Sequence, residues 1–224
     1  MPSPKFNSSA NSNPKTKERD FAATTSKKKS LPKVLKHEVR IIGGHLKRTK
    51  LPVADKPGLR PSPDRVRETL FNWLGQDLTG WRCLDAFAGS GALGFEAVSR
   101  EATLVQMIEM DPVLAGSLEK TRQRLNLGAE QVQVRRGDGV RALADCAKAS
   151  LDLIFLDPPF DTDLGDKALP LAVKAIKNNA WIYLESPTPV SPETLDSLGL
   201  SLYRQLKAGK VFAQLLQLKS AEVQ

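Results

Sequence analysis

Between residues 81 and 186 the chain alternates regularly between short β-rich runs and segments with helical spacing. The runs are WRCLDAFA (81–88), TLVQMIEM (103–110), QVQVRRGD (131–138), LDLIFLD (151–157) and AWIYLES (180–186). Between them lie ALGFEAVSR, DPVLAGSLEKTRQRLNL, GVRALADCAKA and a stretch over 164–177, with Pro112 suited to the first turn of the second helix. Strands joined through helices run parallel, and helices then cover both faces of the sheet. LSLYRQLKAGKVFAQLLQLK (200–219) breaks the pattern. Its two runs meet at KAGK with no room for a crossover helix, so they form an antiparallel hairpin. The expected fold class is α/β: a doubly wound, seven-stranded mixed sheet with a C-terminal antiparallel hairpin, filling 81–219.

An extension precedes it over 37–80. VRII and RTKLPV flank GGHLK and predict a short β-hairpin. In KPGLRPSPDRVRETLFNWLGQ, Asp64 is the expected N-cap, Val66, Leu70, Trp73 and Leu74 fall near helical spacing, and Gly75 stops the helix. Residues 1–36, rich in Ser, Asn, Pro, Thr and Lys, read as a disordered basic arm, and 220–224 as a tail. Residues 1–50 hold 13 Lys/Arg against three Asp/Glu, whereas the remainder holds 20 against 22. Positive charge gathered at one end of a near-neutral body suggests attraction to phosphate backbones, and the plainer alternative for residues 1–30 is a solvated disordered tail. No apolar run approaches the roughly 20 residues that span a bilayer, and the start lacks the apolar middle of a secretory signal. Cys83 and Cys146, without CxxC spacing, read as free thiols of a cytoplasmic protein, and no cluster of metal-ligand spacing appears.

Ligands of such sheets bind at the carboxyl ends of the strands. Four of those ends carry an acid: Asp85, Glu109, Asp138 and Asp157. Helix capping is the alternative for Asp138, as it is for Asp111. The first turn reads GSGALG, in which Gly89, Gly91 and Gly94 fit G-x-G-x-x-G and Glu109 follows at the usual distance. A dinucleotide would lay its pyrophosphate there, against the carboxylate of Asp85. S-adenosylmethionine has the adenosine, no phosphate, and a positive charge that this carboxylate attracts. Glu109 then accepts from the ribose hydroxyls and Asp138 from the adenine amine.

LDPPF (156–160) ends the fourth strand with a carboxylate, two prolines that fix φ, and an aromatic ring. An exocyclic amine on a nucleobase is a poor nucleophile, because its lone pair is delocalised into the ring. Asp157 and a carbonyl of Pro158 or Pro159 can accept its two hydrogens and expose that lone pair, while Phe160 stacks on the base. The plainer alternative is a strand-ending turn with a core phenylalanine. The motif by itself leaves guanine N2, adenine N6 and cytosine N4 open, and a non-catalytic RNA-binding module on the same fold is the alternative of a different class.

With RIIGG (40–44), GLRPSPDRVRETLFNWL (58–74), CLDAFAGSGALGFEA (83–97), IEMD (108–111) and LDPPF, residues 38–219 resemble the RsmD family. These are bacterial 16S rRNA (guanine(966)-N(2))-methyltransferases with the Rossmann-like class I methyltransferase fold. The resemblance implies methyl transfer from S-adenosyl-L-methionine to one guanine of small-subunit ribosomal RNA, free or in a 30S particle, by a monomer. It implies cofactor contacts from Asp85, Phe87, Ala88, Gly89, Ser90, Gly91, Glu109, Met110, Asp138, Gly139 and Asp157, with Arg60 and Ser62 near the cofactor carboxylate. Asp157, Pro158, Pro159 and Phe160 would hold the guanine, and Arg40, Lys47, Arg48, Arg60, Arg65 and Arg67 the RNA. The family usually has Thr at position 62, where Ser keeps the hydroxyl, and the basic arm has no counterpart in the family pattern.

Overall fold

The computed structural model describes residues 37–54, 56 and 61–219. The expectations for the arm 1–36, for Arg60 and for the tail fall outside these residues. A two-stranded antiparallel hairpin, β1 (His37–Arg40) and β2 (Lys50–Val53), leads into α1 (Asp64–Leu74). Then follow β3 (Arg82–Asp85), α2 (Ala92–Ser99), β4 (Leu104–Glu109), α3 (Pro112–Arg124), β5 (Val132–Arg136), α4 (Gly139–Ala144), β6 (Leu151–Leu156), α5 (Leu164–Ala175) and β7 (Ile176–Ser186). A short α6 (Pro192–Ser197) precedes the closing hairpin of β8 (Leu200–Ala208) and β9 (Val211–Leu218).

The seven-stranded sheet has the order β5-β4-β3-β6-β7-β9-β8, parallel except that β9 runs antiparallel to both neighbours. The chain winds outward from β3 through β4 to β5, then returns to place β6 on the other side of β3. That reversal opens a crevice at the carboxyl ends of β3 and β6. One face of the sheet packs Phe155 and Tyr183 against Phe71 of α1 and Phe95 of α2. The other packs Leu84, Ile154 and Leu216 against Leu169 of α5 and Leu195 of α6. Burying each such side chain contributes about 1.5–3 kcal/mol.

Several expected boundaries move. Pro63, not Asp64, is the N-cap of α1. Asp64 is its first residue, and its carboxylate accepts from Arg67 (2.7 Å) instead of from the helix backbone. Gly75 does end α1, in the left-handed conformation (φ 92°). α5 stops at Ala175 and β7 begins at once, because Ala149 and Ser150 donate to the Lys174 and Ala175 carbonyls and draw the chain into the sheet. α6 begins at the end of the Pro-rich stretch SPTPVSPE (186–193): Ser191 caps it through Thr194 N–H (3.1 Å), with Pro192 at its first position.

A buried ion cluster fastens the N-terminal extension to α2. Glu96, fully buried, accepts from the backbone N–H of Ile42 and Gly43 (both 2.8 Å), from Arg67 (3.3 Å) and from Arg100 (2.8 and 3.0 Å). Arg67 also donates to the carbonyls of Arg40 (2.8 Å) and Ser62 (3.3 Å). The Gly43-Gly44 pair lets this approach happen. A Cβ on Gly44, at φ 73°, would lie 1.6 Å from the Ser99 carbonyl oxygen. The segment that carries Ser62 is thereby held over the sheet edge.

Candidate active site at the carboxyl edge of the sheet

Asp85 is the last residue of β3 and is 1% exposed. Its Oδ2 accepts from Gly94 N–H (3.1 Å). Its Oδ1 is, among the described residues, a buried side-chain oxygen without a partner. Burial, reinforced by the nearby Glu109, pushes this carboxyl up to about 7, against the Gly94 N–H bond and the nearby Phe87 N–H, which favour its charged form. The turn above it runs through Gly89 (φ 53°) and Gly91 (φ 77°), and Gly91 caps α2 in the left-handed conformation. A Cβ on Gly91 would come within 2.7 Å of Phe95 and Leu118, so the turn requires glycine there. Glu109 ends β4 and closes the turn, accepting from Gly89 N–H and Asp111 N–H (both 2.8 Å).

Asp157 follows β6, one strand away. Its Oδ2 lies 3.3 Å from Ser62 Oγ, which is 2.5 Å from Glu185 Oε1. Tyr183 donates its hydroxyl to the same Glu185 oxygen (2.7 Å). Glu185, on β7, is 4% exposed. Burial first, then the neighbouring Glu185 and Asp85 carboxyls, hold Asp157 well above the usual carboxylate range, with the Ser62 hydroxyl opposing. Burial also raises Glu185, against its bonds from Ser62 and Tyr183, and raises the Tyr183 phenol. Pro158 is buried, whereas Phe160 leaves 40% of its surface exposed. Pro158, Pro159 and Phe160 form one wall of a cleft of about 620 Å³, with Glu185, Ser186 and Pro187 across it.

The structure redistributes the expected site residues. Asp85, Glu109 and Asp157 gather at the crevice, and Glu185 joins them. Asp138 caps α4: its Oδ1 accepts from Val140 N–H (2.7 Å) and Arg141 N–H (3.3 Å), as Asp111 caps α3. Gly139 packs tightly under Ala86 and Phe87, which brings the start of α4 beside the glycine turn. Ala88 is buried, Phe87 and Ser90 are half-buried, and Met110 is exposed. Arg67 corrects the RNA-contact expectation. Its guanidinium is fully buried and committed to Glu96, Asp64 and two carbonyls, so it builds the fold and meets no RNA. Arg40, Lys47, Arg48 and Arg65 are exposed, without a carboxylate partner among the described residues. Ser62 is buried between two acids.

Sequence reasoning missed Glu185 and Glu96. Glu185 had the signal of the other four, an acid at a strand's carboxyl end in WIYLES. Glu96 had a fainter one, a lone acid in an otherwise apolar helix.

The family model described as Conserved hypothetical protein 95 matches residues 39–217. Ribosomal RNA small subunit methyltransferase D of Haemophilus influenzae is 45% identical over 154 residues, 67% of this chain and 80% of that protein. The protein of the same name from Escherichia coli K12 is 40% identical over 186 residues, 80% of this chain and 90% of that protein. Among solved structures, "Putative methyltransferase yhhF from Escherichia coli" superposes with a TM-score of 0.70 at 39% identity, covering 83% of this chain and 100% of that one. The chain belongs to the RsmD family of methyltransferases, and its seven-stranded sheet is the class I methyltransferase fold.

Proposed function

We propose that this protein methylates the exocyclic N2 amine of one guanine in small-subunit ribosomal RNA, guanine 966 of the family, with S-adenosylmethionine as donor. The observation that carries this reading is the rigid Asp157–Phe160 step at the carboxyl end of β6, where the carboxylate lies beside Ser62 at the crevice and the exposed Phe160 ring lines a cleft of about 620 Å³, large enough for a base. The residues fit the donor. The unpartnered, buried Asp85 Oδ1 suits a cationic group, and the Gly89–Gly91 turn allows close backbone approach. Glu109 keeps lone pairs beyond its two backbone bonds for the ribose hydroxyls, and Asp138 keeps Oδ2 for the adenine amine. When bound, the donor supplies an electrophilic methyl group on a sulfonium.

The protein's own contribution is orientation. Asp157 and a proline carbonyl accept the two hydrogens of the guanine amine and free its lone pair. Pro159 O already accepts from Thr162 Oγ1 (2.6 Å), whereas the Pro158 carbonyl has no hydrogen bond among the described residues, so Pro158 is the better acceptor. Stacking on Phe160, worth about 1–3 kcal/mol, offsets part of the cost of unstacking the base. Exposed Arg40, Lys47, Arg48 and Arg65 supply phosphate contacts. The arm 1–36 adds salt-sensitive affinity without choosing the base. In this reading the enzyme is a cytoplasmic monomer.

The deciding experiment is methylation of small-subunit rRNA, free and in 30S particles, with the product mapped by mass spectrometry. One N2-methylguanine is expected. Label on adenine N6 or cytosine N4 would refute the choice of base, and donor binding without transfer to either substrate would point to a non-catalytic RNA-binding module.

A further inference from the structure

We infer that Asp157, Ser62 and Glu185 act as one proton-holding unit, in which the two carboxyls share a single proton through the Ser62 hydroxyl and Glu185 passes the proton lost by the methylated amine to the cleft. This rests on the amine-methylating reading of the same site and assigns a role to a residue outside the family motifs.

A count of hydrogens carries the argument. Three close oxygen–oxygen contacts meet here: Ser62 to Asp157 (3.3 Å), Ser62 to Glu185 (2.5 Å) and Tyr183 to Glu185 (2.7 Å). The two hydroxyls offer one hydrogen each. If both carboxyls were ionised, the third contact would have none. A proton on one carboxyl completes the set: Glu185 donates to Ser62 Oγ while Ser62 donates to Asp157, or the reverse. Neighbouring carboxyls withdrawn from water do not both ionise readily: burial raises both, and the charge of Glu185 adds to the rise at Asp157.

Among the described residues no cation relieves them. The groups facing the pair there are Tyr183 on β7, Asp85 at the end of β3 and, from β9, uncharged Ala213 opposite Glu185. Arg67 reaches only the Ser62 carbonyl, and its charge is matched by Glu96 and Asp64.

In the reaction, the amine nitrogen bonds to the methyl carbon as the carbon–sulfur bond breaks, and that bond's electron pair stays on sulfur. The nitrogen, now cationic, gives a proton to Asp157. The pair then holds two protons. Glu185, which lines the cleft of about 620 Å³, releases one to solvent, and the shared one remains. Glu185 is a positioning residue that acts on the amine only through Ser62 and Asp157.

Two measurements test this. Carboxyl 13C NMR of the protein alone reads the shared proton whatever the substrate is. In the wild type, Asp157 and Glu185 should titrate together in two separated steps. In Glu185→Gln, Asp157 should titrate in one step, lower by about one pH unit or more. Independent titration of both groups in the ordinary carboxylate range would overturn the proposal. The second measurement is the pH profile of single-turnover methyl transfer. Glu185→Gln should move the acid limb to lower pH while calorimetric affinity for S-adenosylmethionine stays constant, whereas Ser62→Ala, which removes a hydrogen bond that favours the charged carboxylates, should move it to higher pH. Ser62→Thr should move the limb back relative to Ser62→Ala. A limb that stays at the wild-type position in Glu185→Gln refutes the unit. Should the wild type transfer no methyl group to rRNA, the functional reading fails and the NMR arm alone decides on the shared proton.

Discussion

Replacing Asp85 by Asn should stabilise the ligand-free protein at alkaline pH and destabilise it at acid pH. Burial raises this carboxyl from 3.8 to about 7, so between those values the folded chain binds more protons at this site than the unfolded chain. Stability from Asp85 is therefore greatest at low pH, falls as pH rises through that window, and levels off above it. At 1.36 kcal/mol per pH unit the ionised group costs about 4 kcal/mol at roughly pH 8. Asn removes that cost. Its carbonyl can accept from Gly94 N–H as Oδ2 does, but its NH2 takes the place of the unpartnered Oδ1 and costs about 1–3 kcal/mol. The net gain is about 1–3 kcal/mol at roughly pH 8, and the amide penalty stands alone at roughly pH 3, below both values. For a chain of this length, about 2–4 °C per kcal/mol makes this a rise of about 2–12 °C at the higher pH and a fall of similar size at the lower. Thermal melts of both proteins without ligand, at the two pH values, measure it. Equal destabilisation at both would show that Asp85 does not carry its charge into the core, and the electrostatic account of the crevice would fail. The same variant should bind S-adenosylmethionine more weakly by calorimetry.

Three further outcomes are expected. Asp157→Ala should keep S-adenosylmethionine binding and lose methyl transfer, and full activity would remove Asp157 from the mechanism. Phe160→Ala should lower kcat/KM for RNA by about 5- to 150-fold, the equivalent of 1–3 kcal/mol of stacking, with little change in melting temperature because the ring is exposed. Glu96→Ala leaves Arg67 and Arg100 buried without their shared partner. It should cost about 3–5 kcal/mol in denaturant unfolding, and a loss below 1 kcal/mol would show that the cluster does not fasten the extension.

The sheet was readable because each parallel strand is a short apolar run bounded by turn residues, and because KAGK leaves no length for a crossover. The crevice was readable in part. Asp85, Glu109 and Asp157 lie where the strand-end rule puts them. At Asp138 the rule was silent on the second task, the capping of its own helix through Oδ1. Arg67 was misread because an arginine on an amphipathic helix looks like a surface charge. Its partner Glu96 lies 29 residues away, and no local pattern encodes that pairing. Ser62 was expected beside the cofactor. Its place between two acids depends on the chain being drawn across the sheet by Arg67, which only the tertiary structure shows.

The position of β9 has a consequence for how this protein comes into being. It is the last strand in sequence among those described, yet it lies between β7 and β8, with Ala213 opposite Glu185 and Phe212 opposite Ser186. During synthesis β7 emerges with one edge open and waits for residues 187–210 to be made, roughly 1–5 s at about 5–20 residues per second. Until β9 slides in, the strand carrying Glu185 has no backing and the crevice is incomplete. A nascent chain therefore holds no working site, and an interruption before Val211 leaves an unpaired strand edge, open to pairing with other chains.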